Sequence, residues 1–166
     1  MTLSTVDEAG DPDARVLVLE GVDRSGWPFA GHGFSPKGHH PAVHPRAALT
    51  FYWPGHGRQV RLRGPVTPGS TEDNAADFLG RSATARAESL LARQSQYLAD
   101  PAEHDRALEK SLALIRQEPS LVDSGRTLYT LAPVEAEFWQ AARSPVHTRL
   151  RYERATDGWE RFRLWS

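Results

Sequence analysis

The chain of 166 residues has no cysteine. Disulfides, thiolate nucleophiles and Cys-ligated zinc or iron–sulfur centres are therefore excluded. It also lacks an excess of either charge: 20 Lys and Arg stand against 21 Asp and Glu, a formal net charge of −1. With no pervasive basic field to release counterions, nucleic acid is not an expected partner. No apolar run approaches the roughly 20 residues a membrane span needs. Met1 to Asp7 shows no charged segment leading into an apolar one, so a cytoplasmic protein without membrane contact is expected. A Gly-x-Ser-x-Gly elbow and a Walker loop are missing as well, which removes the commonest hydrolase and nucleotide-binding signatures.

What is present centres on Pro45 to Trp53, an apolar and aromatic run, followed across Pro54-Gly55-His56-Gly57 by Arg58 to Gly64. The second run alternates: Val60 and Leu62 point one way, Gln59, Arg61 and Arg63 the other. Period two on both sides of a Pro/Gly break predicts a β-hairpin. The polar face offers amide and guanidinium donors suited to an anionic or heteroaromatic ligand, or it solvates the outside of a barrel.

Leu3 to Val6 and Ala14 to Leu19 are further strand candidates, and Arg15 to Leu19 reads as a strand buried on both faces. Asp23 to Gly26 is a turn, Trp27 to Ala30 a short strand, and Gly31 to Gly38 a loop whose glycines permit close backbone approach. Ser70 with Asp73 predicts a helix cap before a short helix over Asn74 to Leu79. Ala83 to Leu98 carries helical spacing, and Asp100-Pro101-Ala102-Glu103 starts a helix that stops before Pro119. Thr127 to Trp139 returns to strand texture. Thr148 to Arg154 and Trp159 to Trp165 form a hairpin about Thr156-Asp157-Gly158, with His147, Arg149 and Arg151 on one face. One domain over 1–166 is expected, mainly β with flanking helices (α+β) and antiparallel, with a helical block at about 70–118.

His32, His39, His40 and His44 contain no carboxylate among them. They read as loop histidines at a ligand mouth or on the surface rather than as a metal site. Arg15, Ser35, Lys37, Gln59, Gln94, Ser95, His147 and Arg149, with Trp139, are polar or aromatic residues that spacing alone does not bring together.

In these residues the chain resembles the pyridoxamine 5′-phosphate oxidase family, FMN-binding split β-barrel homodimers that include dihydrophenazine-type oxidases of secondary metabolism. The similarity runs through Arg15-Val16-Leu17-Val18-Leu19, Ser35-Pro36-Lys37-Gly38, His44-Pro45-Arg46, Phe51-Tyr52-Trp53 and Arg58-Gln59-Val60-Arg61. It continues in Gln94-Ser95, Glu137-Phe138-Trp139-Gln140 and His147-Thr148-Arg149-Leu150. The resemblance implies FMN at a homodimer interface. Arg15, Lys37, Gln59 and Ser95 match positions holding its phosphate and ribityl chain, and Gln94, Trp139 and Arg149 match positions along the rest of the flavin. Val16, Leu17, Val18 and Ser35 belong to the same matching segments and count with the cofactor-binding residues.

The chain also departs from the family. Pro36 stands where a second Arg is usual, Ala30-Gly31-His32 replaces a Tyr-Thr-Asn type sequence, and Pro-x-x-Trp-Gly-Gly is absent from Ser120 to Thr130. On the substrate side a Lys becomes Glu20, a Tyr, Arg and Ser become Asp77, Arg81 and Ala85, and the Arg of an Arg-Leu-His triplet becomes Pro145. A site remade this way repels a dianion. The resemblance thus implies an FMN-dependent oxidase of a small, non-phosphorylated substrate, a reduced ring or an amine of specialised metabolism, and not a vitamin B6 oxidase. Hydride would pass to flavin and then to oxygen. Glu20, Asp77, Arg81 and His147 would face the substrate, with Arg81 and His147 as the catalytic pair and His147 as proton relay. The alternatives are a non-catalytic flavin-binding split barrel and a barrel with an empty pocket.

Overall fold

The computed structural model describes residues 1–142 and 146–166. Two compact units emerge: Met1–Phe29, His40–Thr67 and Thr130–Ser166 form the first, and Ala30–His39 with Pro68–Tyr129 the second.

The first unit is built on antiparallel strands in the order β2-β1-β4-β5-β7-β8-β9. These are β1 (Thr2–Val6), β2 (Pro12–Val16), β4 (Arg46–Trp53), β5 (Arg58–Pro68), β7 (Glu135–Gln140), β8 (Thr148–Ala155) and β9 (Gly158–Leu164). Strands β3 (Trp27–His32) and β6 (Arg126–Leu131) pair off this path, and β6 also pairs with β5. The β4–β5 hairpin forms as its sequence predicts, through one turn of 3-10 helix at Pro54–His56. Gly57 closes that turn at φ +57°, where a Cβ would sit 2.8 Å from Ala141 Cβ. Glycine is needed there for its left-handed backbone and for space.

The alternation along β5 is realised. Leu62 is buried with Leu3, Leu49 and Val66. Each such side chain contributes about 1.5–3 kcal/mol relative to exposure. Arg61 and Arg63 turn to the opposite face, where Arg63 lies 3.2 Å from Glu135.

The second unit contains α2 (Thr71–Leu79), α3 (Ala83–Leu90) and α4 (Pro101–Gln117). Ser70 and Asp73 form the expected capping box on α2, and the Asp100 carboxylate caps α4 by accepting from Ala102 N at 2.9 Å. Phe78, Ala87 and Ile115 make its core, lined by Leu90, Leu108, Leu112, Leu121 and Val122. Arg86 is drawn into this core over the Phe78 ring, and donates to the carbonyls of Pro119 and Leu121 at 2.7 and 2.8 Å.

Five sequence expectations are corrected. Arg15 to Leu19 is not buried on both faces: β2 ends at Val16 on the edge of the sheet path, and Val16 and Val18 are 80% and 76% exposed. An edge strand has a neighbour on one side only, so β-branched content does not report burial there. Gly31 to Gly38 is not all loop: β3 runs to His32, and a helix α1 (Pro36–Val43) begins at Pro36. Pro36 suits a first helical position, a signal outweighed on paper by Pro41 within the same helix. The helix expected over Ala83 to Leu98 stops at Leu90, because Ala92 and Ser95 take positive φ values of 53° and 70°. Thr127 to Trp139 is two strands, broken before Glu135. Finally, His32 and His40 are buried, whereas His39 and His44 are exposed.

Candidate functional site

In the first unit three expected residues fall on one rung. Gln59 pairs with Trp139 across β5 and β7, and Trp139 with Arg149 across β7 and β8. Residues directly opposite in antiparallel strands point to the same face. Gln59, Trp139 and Arg149 therefore present an amide, an indole and a guanidinium side by side. His147 joins them, its ring centroid 5.0 Å from that of Trp139 at an interplanar angle of 60°. Its Nδ1 accepts from Ala142 N at 3.3 Å.

The adjacent rung carries Arg61, Glu137 and Arg151. Glu137 Oε1 accepts from Arg149 Nε and Nη2 at 3.1 and 2.8 Å, a forked contact that sets the guanidinium plane. Glu137 Oε2 accepts from Arg151 Nη2 at 3.3 Å, and Arg61 Nη1 stands 3.9 Å from Oε1. Burial by itself pushes the Glu137 carboxyl up. The hydrogen bonds from Arg149 and Arg151, with the charges of Arg149 and Arg61, outweigh it and hold the carboxyl below its usual range. Glu137 is thus a buried anion that fixes Arg149. Sequence reasoning placed it in a matching segment without giving it a role, since its partners lie on other strands.

Arg15, on β2, donates to Thr5 Oγ1 at 2.6 Å and pairs with Asp13. Val16 and Val18 are exposed, and Leu17 N donates to Met1 O at 2.8 Å. Glu20 is exposed, its backbone N–H bonded to Pro28 O.

In the second unit Lys37 Nζ donates to Ser35 Oγ at 3.3 Å and to Gln94 Oε1 at 2.5 Å. An ammonium, a hydroxyl and an amide are gathered in one place from two stretches far apart in sequence. Ser95 follows in the left-handed region, so the chain turns back directly after Gln94. Asp77 and Arg81 also meet: Asp77 Oδ2 accepts from Arg126 Nε at 2.9 Å and from Arg81 Nε at 3.4 Å. Arg126 was not anticipated, because its role depends on β6 passing beside α2. Ala85 lies one turn further on, in α3. Pro145 lies outside the described residues.

Two hollows accompany these groups. One of about 540 Å³ in the first unit is bordered by Trp53, Arg58, Val60, Phe138, Thr148 and Leu150; Val60, Phe138 and Leu150 point to the face of the sheet opposite the Gln59, Trp139 and Arg149 side chains. Another of about 740 Å³ in the second unit is bordered by Ser89, Gln94, Tyr97, His104 and Lys110, among others. Among the described residues there is no cluster of three or more His, Asp or Glu able to hold a metal. No helix among them is long and apolar enough to cross a membrane.

The mainly antiparallel sheet with its helices defines the class of fold, the split β-barrel. Comparison with known proteins gives the family. Residues 1–140 match the family described as pyridoxamine 5′-phosphate oxidase, and residues 127–166 the pyridoxine 5′-phosphate oxidase C-terminal dimerisation region. The pyridoxine/pyridoxamine 5′-phosphate oxidase of Pseudomonas paraeruginosa is 38% identical over 165 residues, covering 99% of this chain and 76% of that protein. That of Hyphomonas neptunium is 37% identical over 167 residues, with the same coverage. Among solved structures, PhzG from Burkholderia lata 383, in complex with tetrahydrophenazine-1-carboxylic acid, is similar at a TM-score of 0.91 and 30% identity, covering 99% of this chain and 81% of that one. A pyridoxamine 5′-phosphate oxidase-related, FMN-binding protein from Nostoc punctiforme shares the fold at a TM-score of 0.80 and 22% identity, covering 99% and 87%. The chain belongs to the pyridoxamine 5′-phosphate oxidase family.

FMN is the cofactor of this family and accordingly of this chain. The residues present fit it. The Lys37 ammonium, placed by the Ser35 hydroxyl and the Gln94 carbonyl oxygen that accept from it, is a cation suited to a phosphate, and the Gln94 amide N–H suits a hydroxyl oxygen. The Gln59–Trp139–Arg149 rung supplies a flat aromatic wall between an amide and a cation.

Proposed function

We propose that this protein is an FMN-dependent oxidase of a small, non-phosphorylated substrate, a partly reduced ring or an amine, working as a homodimer with the cofactor at its interface. The observation that carries the substrate reading is Asp77. By accepting from both Arg81 and Arg126, its carboxylate offsets part of their charge and occupies donors that a substrate phosphate would otherwise claim. Glu20, Ala85 and Pro145 point the same way, since each replaces a cationic or donor residue of the family pattern. The complex of PhzG with tetrahydrophenazine-1-carboxylic acid supports a partly reduced ring in particular. The dimerisation region over 127–166 supports the homodimer.

In this reading Lys37, Ser35, Arg15, Gln59 and Ser95 hold the phosphate and ribityl chain, with Gln94, Trp139 and Arg149 along the ring. FMN supplies two-electron chemistry: the substrate loses two hydrogens and oxygen gains them as hydrogen peroxide. Arg149, fixed by Glu137, keeps its positive charge at one place beside the Trp139 wall. With Nδ1 of His147 accepting from Ala142, Nε2 is the ring atom left to exchange a proton with the substrate. Asp77 holds Arg81 and Arg126 together in a cluster with one carboxylate to two guanidiniums, less cationic than a seat for a phosphate dianion.

Purified protein is expected to be yellow, to bleach anaerobically with a dihydro-aromatic acid or amine, and to recover its colour in air with formation of peroxide. Turnover of pyridoxamine or pyridoxine phosphate at ordinary enzymatic rates would overturn the substrate reading. A yellow protein that no dihydro-aromatic or amine bleaches would instead be a non-catalytic flavin carrier.

A further inference from the structure

Two stretches in which the chain departs from the family pattern, Ala30-Gly31-His32 and Ser120 to Thr130, meet inside the second unit. His32 Nε2 lies 3.5 Å from Asp123 Oδ1, and both residues are buried. Asp123 accepts from two further donors, Ser89 Oγ at 2.6 Å and Gly125 N at 2.9 Å. On the other side of the imidazole, Phe34 N approaches Nδ1 at 3.4 Å. With Nδ1 turned to a donor, Nε2 is the nitrogen that carries hydrogen toward Asp123.

The His32 ring is also clamped by shape. A Cβ on Gly125 would lie 2.4 Å from the ring atoms Cε1 and Nε2, so the backbone of that turn rests against the imidazole. Gly33 N donates to Gly125 O at 2.8 Å and closes the same contact. From this clamped residue the next segment is hung. The His32 carbonyl accepts from Ser35 N at 2.9 Å and from Ser35 Oγ at 2.7 Å. Ser35 Oγ in turn accepts from Lys37 Nζ, and Gly38 packs so closely that a Cβ would meet His32 O at 2.3 Å.

We propose that the buried Ser89–Asp123–His32 chain is a positioning device for the Ser35–Lys37 segment, setting where its hydroxyl and ammonium stand and so the preference of the site for a phosphorylated flavin. The inference rests on the reading of Ser35 and Lys37 as phosphate-holding. His32, Asp123 and Ser89 are positioning residues, since all three act through the His32 carbonyl. A buried carboxylate held by Ser89 and Gly125 on one side of the ring, and the Phe34 N–H on the other, restrict where the carbonyl stands.

The test is the ratio of dissociation constants for riboflavin and FMN, from flavin fluorescence titrations of the full chain. Asp123→Ala removes the acceptor that faces His32, Gly125 and Ser89, so it is expected to weaken FMN by about tenfold while leaving riboflavin within about twofold. His32→Ala should act alike, and Gly125→Ala, which displaces the ring, should follow. Ser89→Ala, the mildest change, serves should the others not fold. A merely structural role would weaken both flavins together with the melting temperature, and that result overturns the proposal. Lys37→Met separates the two levels of the argument. If the unaltered protein prefers FMN and Lys37→Met abolishes the preference, but the Asp123, His32, Gly125 and Ser89 variants retain it, the positioning role alone is wrong. If the unaltered protein does not discriminate FMN from riboflavin, the phosphate seat itself is wrong and the positioning role falls with it.

Discussion

Lys37 Nζ and Gln94 Oε1 stand 2.5 Å apart although 57 residues separate them in the chain. The contact ties the start of α1 to the turn after α3, within one compact unit. Because Gln94 is exposed and its partner is a cation, the contact orders the ammonium more than it stabilises the fold. Gln94→Leu is expected to raise the FMN dissociation constant roughly fivefold, the equivalent of about 1 kcal/mol, with little change in melting temperature. Fluorescence titration checks the first and thermal unfolding the second.

Glu137 gives a pH dependence of definite sign. Its carboxyl lies below the ordinary range in the folded chain, so the folded state binds its proton later than the unfolded state does. The stabilisation is therefore present above the unfolded value, about 4.3, and is lost as pH falls through the lower folded value. Urea unfolding between neutral pH and about pH 3 should show stability declining on the acid side. Glu137→Gln should be less stable at neutral pH by about 1–3 kcal/mol and show a shallower acid decline.

Asp77→Asn removes the anion shared by Arg81 and Arg126. Inhibition by pyridoxal or pyridoxamine phosphate should strengthen by about tenfold, because the Asp77 carboxylate no longer repels the phosphate or competes with it for Arg81 and Arg126. Unchanged inhibition constants would remove Asp77 as the reason phosphorylated substrates are excluded.

His147 stands edge-on to Trp139 and is assigned the substrate proton. His147→Asn, which keeps a polar group of similar reach, should lower kcat by about 10²- to 10⁴-fold. The FMN content of the purified protein and its visible spectrum should stay as they are. A variant that loses flavin in proportion to activity would instead place His147 in cofactor binding.

Much of this was legible along the chain. The β4–β5 hairpin, the β8–β9 hairpin about Thr156-Asp157, the Ser70 box and the Asp100-Pro101 start are set by interactions spanning a few residues. So was the sharing of one face by His147, Arg149 and Arg151, since alternation along a strand is local geometry. Period, turn chemistry and capping are written directly in residue order, and so is the motif series that marks the family.

Tertiary structure decided what depends on neighbours. Val16 and Val18 have the composition of a core strand, and only the place of β2 at the edge of the sheet path leaves them exposed. The helix over α3 ends at Leu90, ahead of a stretch whose apolar spacing continues, because the backbone turns left-handed at Ala92 and Ser95. Arg149 receives its orientation from Glu137, and His32 from Asp123 and Gly125. Each of those pairs joins different strands or turns, and a burial or a hydrogen bond between them has no period to betray it. The residues were determined by the sequence; which of them share a buried contact was determined by the packing that brings the elements together.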